Sequence, residues 1–189
     1  MSVWVYLFIG SIMVQRLFEV VIANRNKKWM EAQGAFEVGK EHYPFMVLMH
    51  IGFFFALIAE MVWKQPQLTS WAAVPFCLFI IAQMIRIWAL TSLGRYWNTR
   101  IIVLPGAKVI TKGPYQFMRH PNYVVVVIEL LCLPLIFQAY WTALIFSSLN
   151  LLILSIRIKS EERALKADTN YQDVFEKRNR FIPRPSETE

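Results

Sequence analysis

Charge is scarce in this sequence. Of its 189 residues 17% are charged and 56% hydrophobic, against about 25% and about 45–50% in an average soluble domain. The mean hydropathy is +0.38. These figures exclude a disordered chain and do not describe an ordinary cytosolic domain. Cysteine is nearly missing as well. Cys77 and Cys132 both lie inside apolar runs, so they read as small buried hydrophobes, and a disulfide framework is excluded. Histidine occurs three times, and no second His, Cys or carboxylate stands at metal-ligand spacing beside His50, so no metal is expected. Internal repeats and low-complexity segments are lacking too.

What is abundant is apolar and aromatic, with 14 Phe and 7 Trp. A helix needs about 20 mostly apolar residues to cross a bilayer. Five stretches approach this: Val3–Ile22, Phe45–Trp63, Trp71–Leu93, Tyr123–Phe137 and Trp141–Ile158. The expected fold is therefore an all-α integral membrane protein of about five transmembrane helices. The last two spans are separated by a few residues around Gln138 and Tyr140, which predicts a tight helical hairpin. The first stretch has no basic leading region and no small-residue cleavage site, and it ends in Gln15, Arg16 and Glu19, unlike a cleavable signal.

The formal net charge of +7 raises the question of nucleic acid. Its distribution answers with a membrane instead. The first loop carries Arg25, Lys27, Lys28 and Lys40, and the second only Lys64. The third carries Arg95, Arg100, Lys108, Lys112 and Arg119, the fourth none, and the tail Lys159, Arg163, Lys166, Lys177, Arg178, Arg180 and Arg184. Basic loops mark the cytoplasmic side, which puts the N-terminus outside and the C-terminus in the cytoplasm of an integral cell-membrane protein, with no nucleic-acid partner. Residues 1–93 form a three-span region. Residues 94–189 hold a cytoplasmic loop, the two-span hairpin and a tail. The loop contains two turn signals, Leu104-Pro105-Gly106 and Lys112-Gly113-Pro114, around the short, partly β-branched Ala107–Thr111. The tail Ser160–Asn179 reads as an amphipathic helix leaving the fifth span, ended by Pro183 and Pro185.

Ionisable groups inside a span cost roughly 2.5–3.5 kcal/mol each by insertion scales, so each needs a reason. Arg16, Glu19, His50, Glu60, Arg86, Glu129 and Arg157 are such groups. For Arg16 and Glu60, near span ends, pairing or snorkelling suffices. Glu129 and Arg86 either line a pocket or pair structurally. His50 reads as a hydrogen-bonded core histidine.

Two constellations carry more information. The first is Gly113-Pro114-Tyr115-Gln116-Phe117-Met118-Arg119-His120-Pro121-Asn122-Tyr123, where the fourth span begins. Pro121 suits the first turn of a helix, His120 falls at its N-cap, and Tyr123 lies one turn on. Free N–H groups at a helix start hold a ligand's polar edge or carboxylate, and Tyr115 and Tyr123 would flank a flat heterocycle. An interfacial aromatic belt with a cap explains the same residues equally well. The second is Ser155 to Arg163, in which Arg157 and Glu161 share a helix face, either as a simple i,i+4 ion pair or as two charges facing one pocket. The hairpin puts both constellations at the same membrane face, which favours a pocket.

Taken together they resemble the isoprenylcysteine carboxyl methyltransferase family, integral membrane enzymes that use S-adenosyl-L-methionine. The matching residues are Gly113-Pro114-Tyr115, Arg119 to Tyr123, Arg157, Glu161-Glu162, Leu165, Tyr171 and Ile182-Pro183. The resemblance implies cofactor contacts at Tyr115, His120, Pro121, Asn122, Tyr123 and Glu161, and a cytoplasmic segment, Lys108, Val109 and Ile110, that covers the cofactor. It further implies that Arg157 and Glu161 are catalytic, with Arg157 at the methyl acceptor; if Glu129 and Arg86 line the pocket, they stand beside the substrate. Departures are Val124 and Val125, where the family often has a small residue, and Phe175 in place of a frequent tyrosine. In the N-terminal half Gln15-Arg16-Leu17-Phe18-Glu19, Arg25-Asn26, Gly34-Ala35, Glu41-His42-Tyr43-Pro44 and Arg86-Ile87-Trp88 resemble bacterial members that methylate long-chain alkylpyrones or phenolic lipids. The implied partners are a lipophilic small molecule arriving from the bilayer and the membrane lipids themselves. The same C-terminal architecture also resembles membrane sterol and enone reductases that hold NADPH, and phospholipid N-methyltransferases. A non-enzymatic membrane scaffold would leave both constellations unexplained.

Overall fold

The computed structural model describes residues 3–67, 69–176 and 178–183. Lys177, Arg184 and Pro185 of the basic tail lie outside them. The chain folds as α1 (Val3–Glu31), β1 (Phe36–Val38), α2 (Tyr43–Lys64), α3 (Ala73–Leu93), β2 (Ile101–Val103), α4 (Pro121–Ile136), α5 (Tyr140–Asp168) and α6 (Tyr171–Phe175). Four helices, α1, α2, α3 and α5, are long and apolar enough to cross a membrane. The fourth expected span is α4, which is apolar but only 16 residues long. At 1.5 Å per residue it runs about 24 Å, short of a hydrocarbon core of about 30 Å.

Local sequence sets most boundaries. The ring of Pro44 lies in the first turn of α2, and α2 stops where Gln65 turns left-handed and Pro66 follows. Gly94 closes α3 with a positive φ. The α4–α5 connection is three residues long, with Gln138 left-handed. The first turn of α5 is capped from another helix: Glu60 accepts hydrogen bonds from the Thr142 backbone and hydroxyl, both at 2.8 Å, and from the Trp141 backbone at 3.2 Å. Its second neighbour, Lys64, lies at 2.7 Å. The structural reading of Glu60 fits this arrangement.

Three elements differ from expectation. Helix α1 continues nine residues past Ile22 because its polar end finds partners: Asn26 Nδ2 donates to Trp97 O at 2.7 Å, and Asn98 Nδ2 donates to Ala23 O at 3.0 Å. The fold is not purely helical, since β1 and β2 pair antiparallel with Glu37 opposite Ile102. Glu37 takes Lys27 at 2.5 Å and Arg100 at 2.6 Å. Burial pushes its carboxyl upward, but these two hydrogen-bonded cations outweigh that and hold it below the usual carboxylate range. The tail helix ends at Asp168 rather than Asn179. Thr169 is extended, and its hydroxyl donates back to Leu165 O at 2.6 Å while accepting from Tyr171 N at 3.2 Å.

Helix α4 packs between α3 and α5, and α2 packs on the other side of α5. The main core draws on Phe53 and Leu57 of α2, Phe79 of α3 and Leu130 and Leu133 of α4. A second cluster gathers Ala89, Tyr115, Tyr171 and Phe175. The turn carrying Tyr115 is fixed at Gly113, whose φ is +59 and where a Cβ would stand 1.9 Å from Ser92 Oγ and 2.9 Å from Ser92 Cβ. Gly113→Ala is therefore expected to lower the unfolding midpoint of the detergent-solubilised protein, at a cost of about 1–3 kcal/mol from overpacking alone. A thermal-shift comparison checks this.

Candidate functional site

The site forms where the start of α4 meets the end of α5. Pro121, fully buried, opens α4 and leaves His120 at the N-cap position without a side-chain cap bond. The His120 ring instead turns toward α5. Its Nε2 lies 3.1 Å from Glu162 Oε1 and its Nδ1 3.9 Å from Glu161 Oε2. An ionised carboxylate only accepts, so the Glu162 contact places a hydrogen on Nε2. Three residues on, Tyr123 sets its ring centre 5.2 Å from that of His120.

Arg157 and Glu161 do share one face of α5, but they do not form the simple ion pair. The Tyr123 hydroxyl stands between them, accepting from Arg157 Nε at 3.0 Å and donating to Glu161 Oε2. Arg157 Nη2 donates to Thr99 O at 2.6 Å, and Nη1 has only the thioether of Met46, at 3.5 Å. Arg157 is buried, and among the described residues no carboxylate lies within ion-pair distance of it. Its charge is met only at one remove, by the Glu161 carboxylate beyond the Tyr123 hydroxyl.

A continuous cavity of about 620 Å³ joins these groups to the interior of the bundle. Tyr115, His120, Asn122, Tyr123, Arg157 and Glu161 are among its lining residues. Two lining residues, Trp97 and Asn122, each bury a polar atom (Nε1 and Oδ1) that has no hydrogen-bond partner. Such orphaned atoms fit a polar ligand. Burial, reinforced by the Glu161 charge, pushes the Tyr115 phenol above its ordinary value. Burial and then the Glu162 and Glu161 carboxylates do the same to Tyr171. Both rings therefore stay neutral near pH 7.

Part of the cavity wall is charged. Arg16, Glu19, Arg86 and Glu129 all line it, and they also pair among themselves. Arg16 Nη2 meets Glu129 Oε1 at 2.7 Å, Arg16 Nη1 meets Glu19 Oε2 at 2.6 Å, and Arg86 Nη1 meets Glu19 Oε2 at 3.1 Å. Arg86 Nη2 closes the cluster on Glu129. The alternatives of pocket lining and structural pairing thus hold together. His50 lines the cavity too, with Nδ1 2.8 Å from Met46 O.

Lys108, Val109 and Ile110 are not among the cavity's lining residues, nor is Pro121. Lys108 is exposed. Val109 packs on the Tyr115, Tyr171 and Phe175 cluster, and its backbone N–H donates to Asn170 Oδ1 at 2.9 Å.

Glu162 is the residue that sequence reasoning left without a role. It is 5% exposed and receives Arg180 through Nε at 2.9 Å and Nη2 at 2.7 Å, beside its contact with His120. The segment 178–180 is tied down around it: His120 N donates to Arg180 O, and Arg119 Nε to Arg178 O at 2.6 Å. The paired carboxylates Glu161-Glu162 were the available signal. Adjacent residues on a helix point about 100° apart, so one faces the cavity and the other the clamp.

Comparison with known proteins places these elements in context. The model of the isoprenylcysteine carboxyl methyltransferase (ICMT) family matches residues 73–167, from α3 almost to the end of α5. The chain is similar to the uncharacterized protein YpbQ of Bacillus subtilis (strain 168), 45% identical over 161 residues that make up 85% of this chain and 96% of that protein. It is similar also to an uncharacterized protein of Haemophilus influenzae, 31% identical over 157 residues, 82% of this chain and 91% of the other.

Proposed function

The chain belongs to the isoprenylcysteine carboxyl methyltransferase family, and from that premise we propose a membrane O-methyltransferase that transfers the methyl group of S-adenosyl-L-methionine to an acidic oxygen of a lipophilic acceptor. The acceptor is an enol hydroxyl or a carboxylate, as in a long-chain alkylpyrone or a prenylcysteine. The N-terminal motifs favour the alkylpyrone. Family membership and four apolar helices of spanning length make this a multi-pass membrane protein. Its proposed arrangement counts α4 as a fifth, short span in a hairpin with α5, the N-terminus outside and the C-terminus cytoplasmic.

The observation that carries the reading is the buried Arg157, which has no carboxylate within ion-pair distance among the described residues and shares one cavity with Tyr123, His120 and Glu161. The cofactor, when bound, supplies a reactive sulfonium methyl, so the chemistry is its own. The protein's part is placement and exclusion of water. Glu161 and Tyr123, hydrogen-bonded to each other, would hold the cofactor together with His120, and Asn122 Oδ1 offers it an unpartnered acceptor. Arg157 would orient the acceptor's anion through Nη1. A carboxylate or the enol of a 4-hydroxypyrone is largely ionised near neutral pH and needs no general base. The neutral Tyr115 and Tyr171 suit a site that moves no proton.

Calorimetry on the detergent-purified protein tests this. S-adenosylhomocysteine is expected to bind in the micromolar range and to lose about tenfold or more in affinity in His120→Ala, as for a lost hydrogen bond in a buried site. Binding of NADPH alone would replace the reading with that of a reductase.

A further inference from the structure

Two polar side chains in the cavity wall have no part in the chemistry proposed above, His50 of α2 and Asn150 of α5. Asn150 is 2% exposed, and its Nδ2 is buried with no hydrogen-bond partner. His50 Nδ1 lies 2.8 Å from Met46 O. A carbonyl only accepts, so the hydrogen of the neutral ring sits on Nδ1 and Nε2 is a bare acceptor. Among the described residues nothing bonds to that nitrogen. Leaving a buried amide unpaired is costly, and an apolar side chain of the same shape would avoid the cost.

The two stand at one depth. Helices α2 and α5 meet at three levels: Arg157 Nη1 reaches Met46 Sδ at 3.5 Å, the Phe53 and Phe146 ring centres are 5.7 Å apart, and Glu60 accepts from Thr142 at 2.8 Å. The α2 number rises as the α5 number falls, so the helices run antiparallel, and this register puts His50 level with Asn150. His50 lies four residues from Met46 and Asn150 seven from Arg157, each on the same face of its helix. That sets both about 6–10 Å further into the bundle than the Arg157 contact. The ionised groups of the wall, Arg16, Glu19, Arg86 and Glu129, pair with one another and sum to zero, so they leave no charge for a ligand. What His50 and Asn150 can take is therefore a neutral group.

We propose that His50 and Asn150 form a second polar subsite, which recognises a hydroxyl on the acceptor's chain about 6–10 Å from the oxygen that is methylated. A hydroxyl answers both side chains at once, since its O–H donates to His50 Nε2 while its oxygen accepts from the Asn150 amide. The inference rests on the methyltransferase reading and names a class of acceptor within it: an acidic head on an oxygenated chain, not on a plain hydrocarbon. The carbonyl of a pyrone ring is nearer the methylated oxygen than this, so the group that is read belongs to the chain. A site built to bond a hydroxyl discriminates strongly against the analogue lacking it, because its own polar groups are then left buried and unpaired.

The test uses 6-alkyl-4-hydroxypyrones of one chain length, either plain or with a hydroxyl at successive chain carbons. For the unaltered protein, kcat/KM is expected to be about tenfold or more higher for the alcohol, at the positions that separate the two oxygens by about 6–10 Å. In Asn150→Leu and His50→Phe that ratio is expected to fall toward one. Ser148 is exposed and outside the cavity, with its hydroxyl donating to Leu144 O at 2.8 Å, so Ser148→Ala should keep the ratio. No preference at any position, or variants that slow plain and hydroxylated acceptors equally, would overturn the subsite. Asn150→Leu should also leave the unfolding midpoint of the ligand-free protein in detergent unchanged or higher. A fall would show that the amide serves the fold, and would equally overturn the proposal. If the unaltered protein fails to bind S-adenosylhomocysteine, the methyltransferase reading goes, and calorimetry with the same pyrones still decides the subsite. Tighter binding of the alcohol, lost in Asn150→Leu, supports it, and equal binding or none overturns it.

Discussion

Arg157→Ala is expected to abolish turnover, by about 100- to 1000-fold, while the affinity for S-adenosylhomocysteine stays near that of the unaltered protein. The reason lies in how the guanidinium is spent. Nη2 is committed to Thr99 O and Nε to the Tyr123 hydroxyl, which leaves Nη1 turned to the thioether of Met46, a weak acceptor that an anion would displace. Losing Arg157 leaves the bond from Tyr123 to Glu161 intact, so the cofactor side of the cavity keeps its shape. Glu161→Ala has the opposite signature. It removes the acceptor of the Tyr123 hydroxyl and the charge 3.9 Å from His120 Nδ1. A hydrogen bond to a charged group is worth about 1.5–3 kcal/mol, so cofactor affinity should fall roughly 10- to 100-fold. Arg157→Lys is not expected to rescue, since a point charge cannot make the three directed contacts of the fork. Calorimetry and single-turnover assays on the same preparations separate the two effects. Equal loss of cofactor affinity in both variants would show that Arg157 belongs to the cofactor site and would end this division of roles.

The roles came from the family resemblance, but which of these side chains share a face was open to sequence reasoning because helical spacing is rigid. Four residues from Arg157 to Glu161 and three from His120 to Tyr123 put each pair on one face whatever else the chain does. The short connection read between the last two apolar stretches did the rest, since a chain that turns back there brings the beginning of α4 and the end of α5 together. What the spacing did not contain was the partner across the gap. Tyr123 separates Arg157 from Glu161, and only packing of α4 on α5 places it there. The same holds for the small sheet. Ile101-Ile102-Val103 is β-branched throughout, yet its pairing with Phe36–Val38 spans more than sixty residues and is set by the Glu37 ion pairs, not by local preference. Asn26 extends α1 for a similar reason, by finding carbonyls in the segment after α3. Local rules placed the elements, and the long-range polar contacts that tie them together carried no local signal.

The charged cluster in the cavity wall should give the largest effect on stability. Glu129 accepts from Arg16 Nη2 at 2.7 Å, from Arg86 Nε at 3.0 Å and Nη2, and from Gln83 Nε2 at 2.5 Å. Glu129→Ala leaves two arginines sharing Glu19 alone, with an uncompensated positive charge at the level of the apolar spans. Breaking a buried ion network on one side costs about 3–5 kcal/mol, enough to shift the unfolding midpoint in detergent by many degrees or to prevent recovery of folded protein. Arg86→Ala should cost a similar amount, because it leaves Glu19 and Glu129 sharing Arg16 alone with one uncompensated negative charge. The informative variant removes one charge of each sign. With Arg86→Leu and Glu129→Leu together, Arg16 and Glu19 remain paired at 2.6 Å and the net charge is again zero. Most of the stability lost in Glu129→Ala should return, since a buried pair exchanged for apolar side chains of similar size is often neutral or stabilising. If the double variant is as unstable as the single one, charge balance is not what the cluster supplies, and the four side chains act instead through the shape they give the cavity wall between α1, α3 and α4.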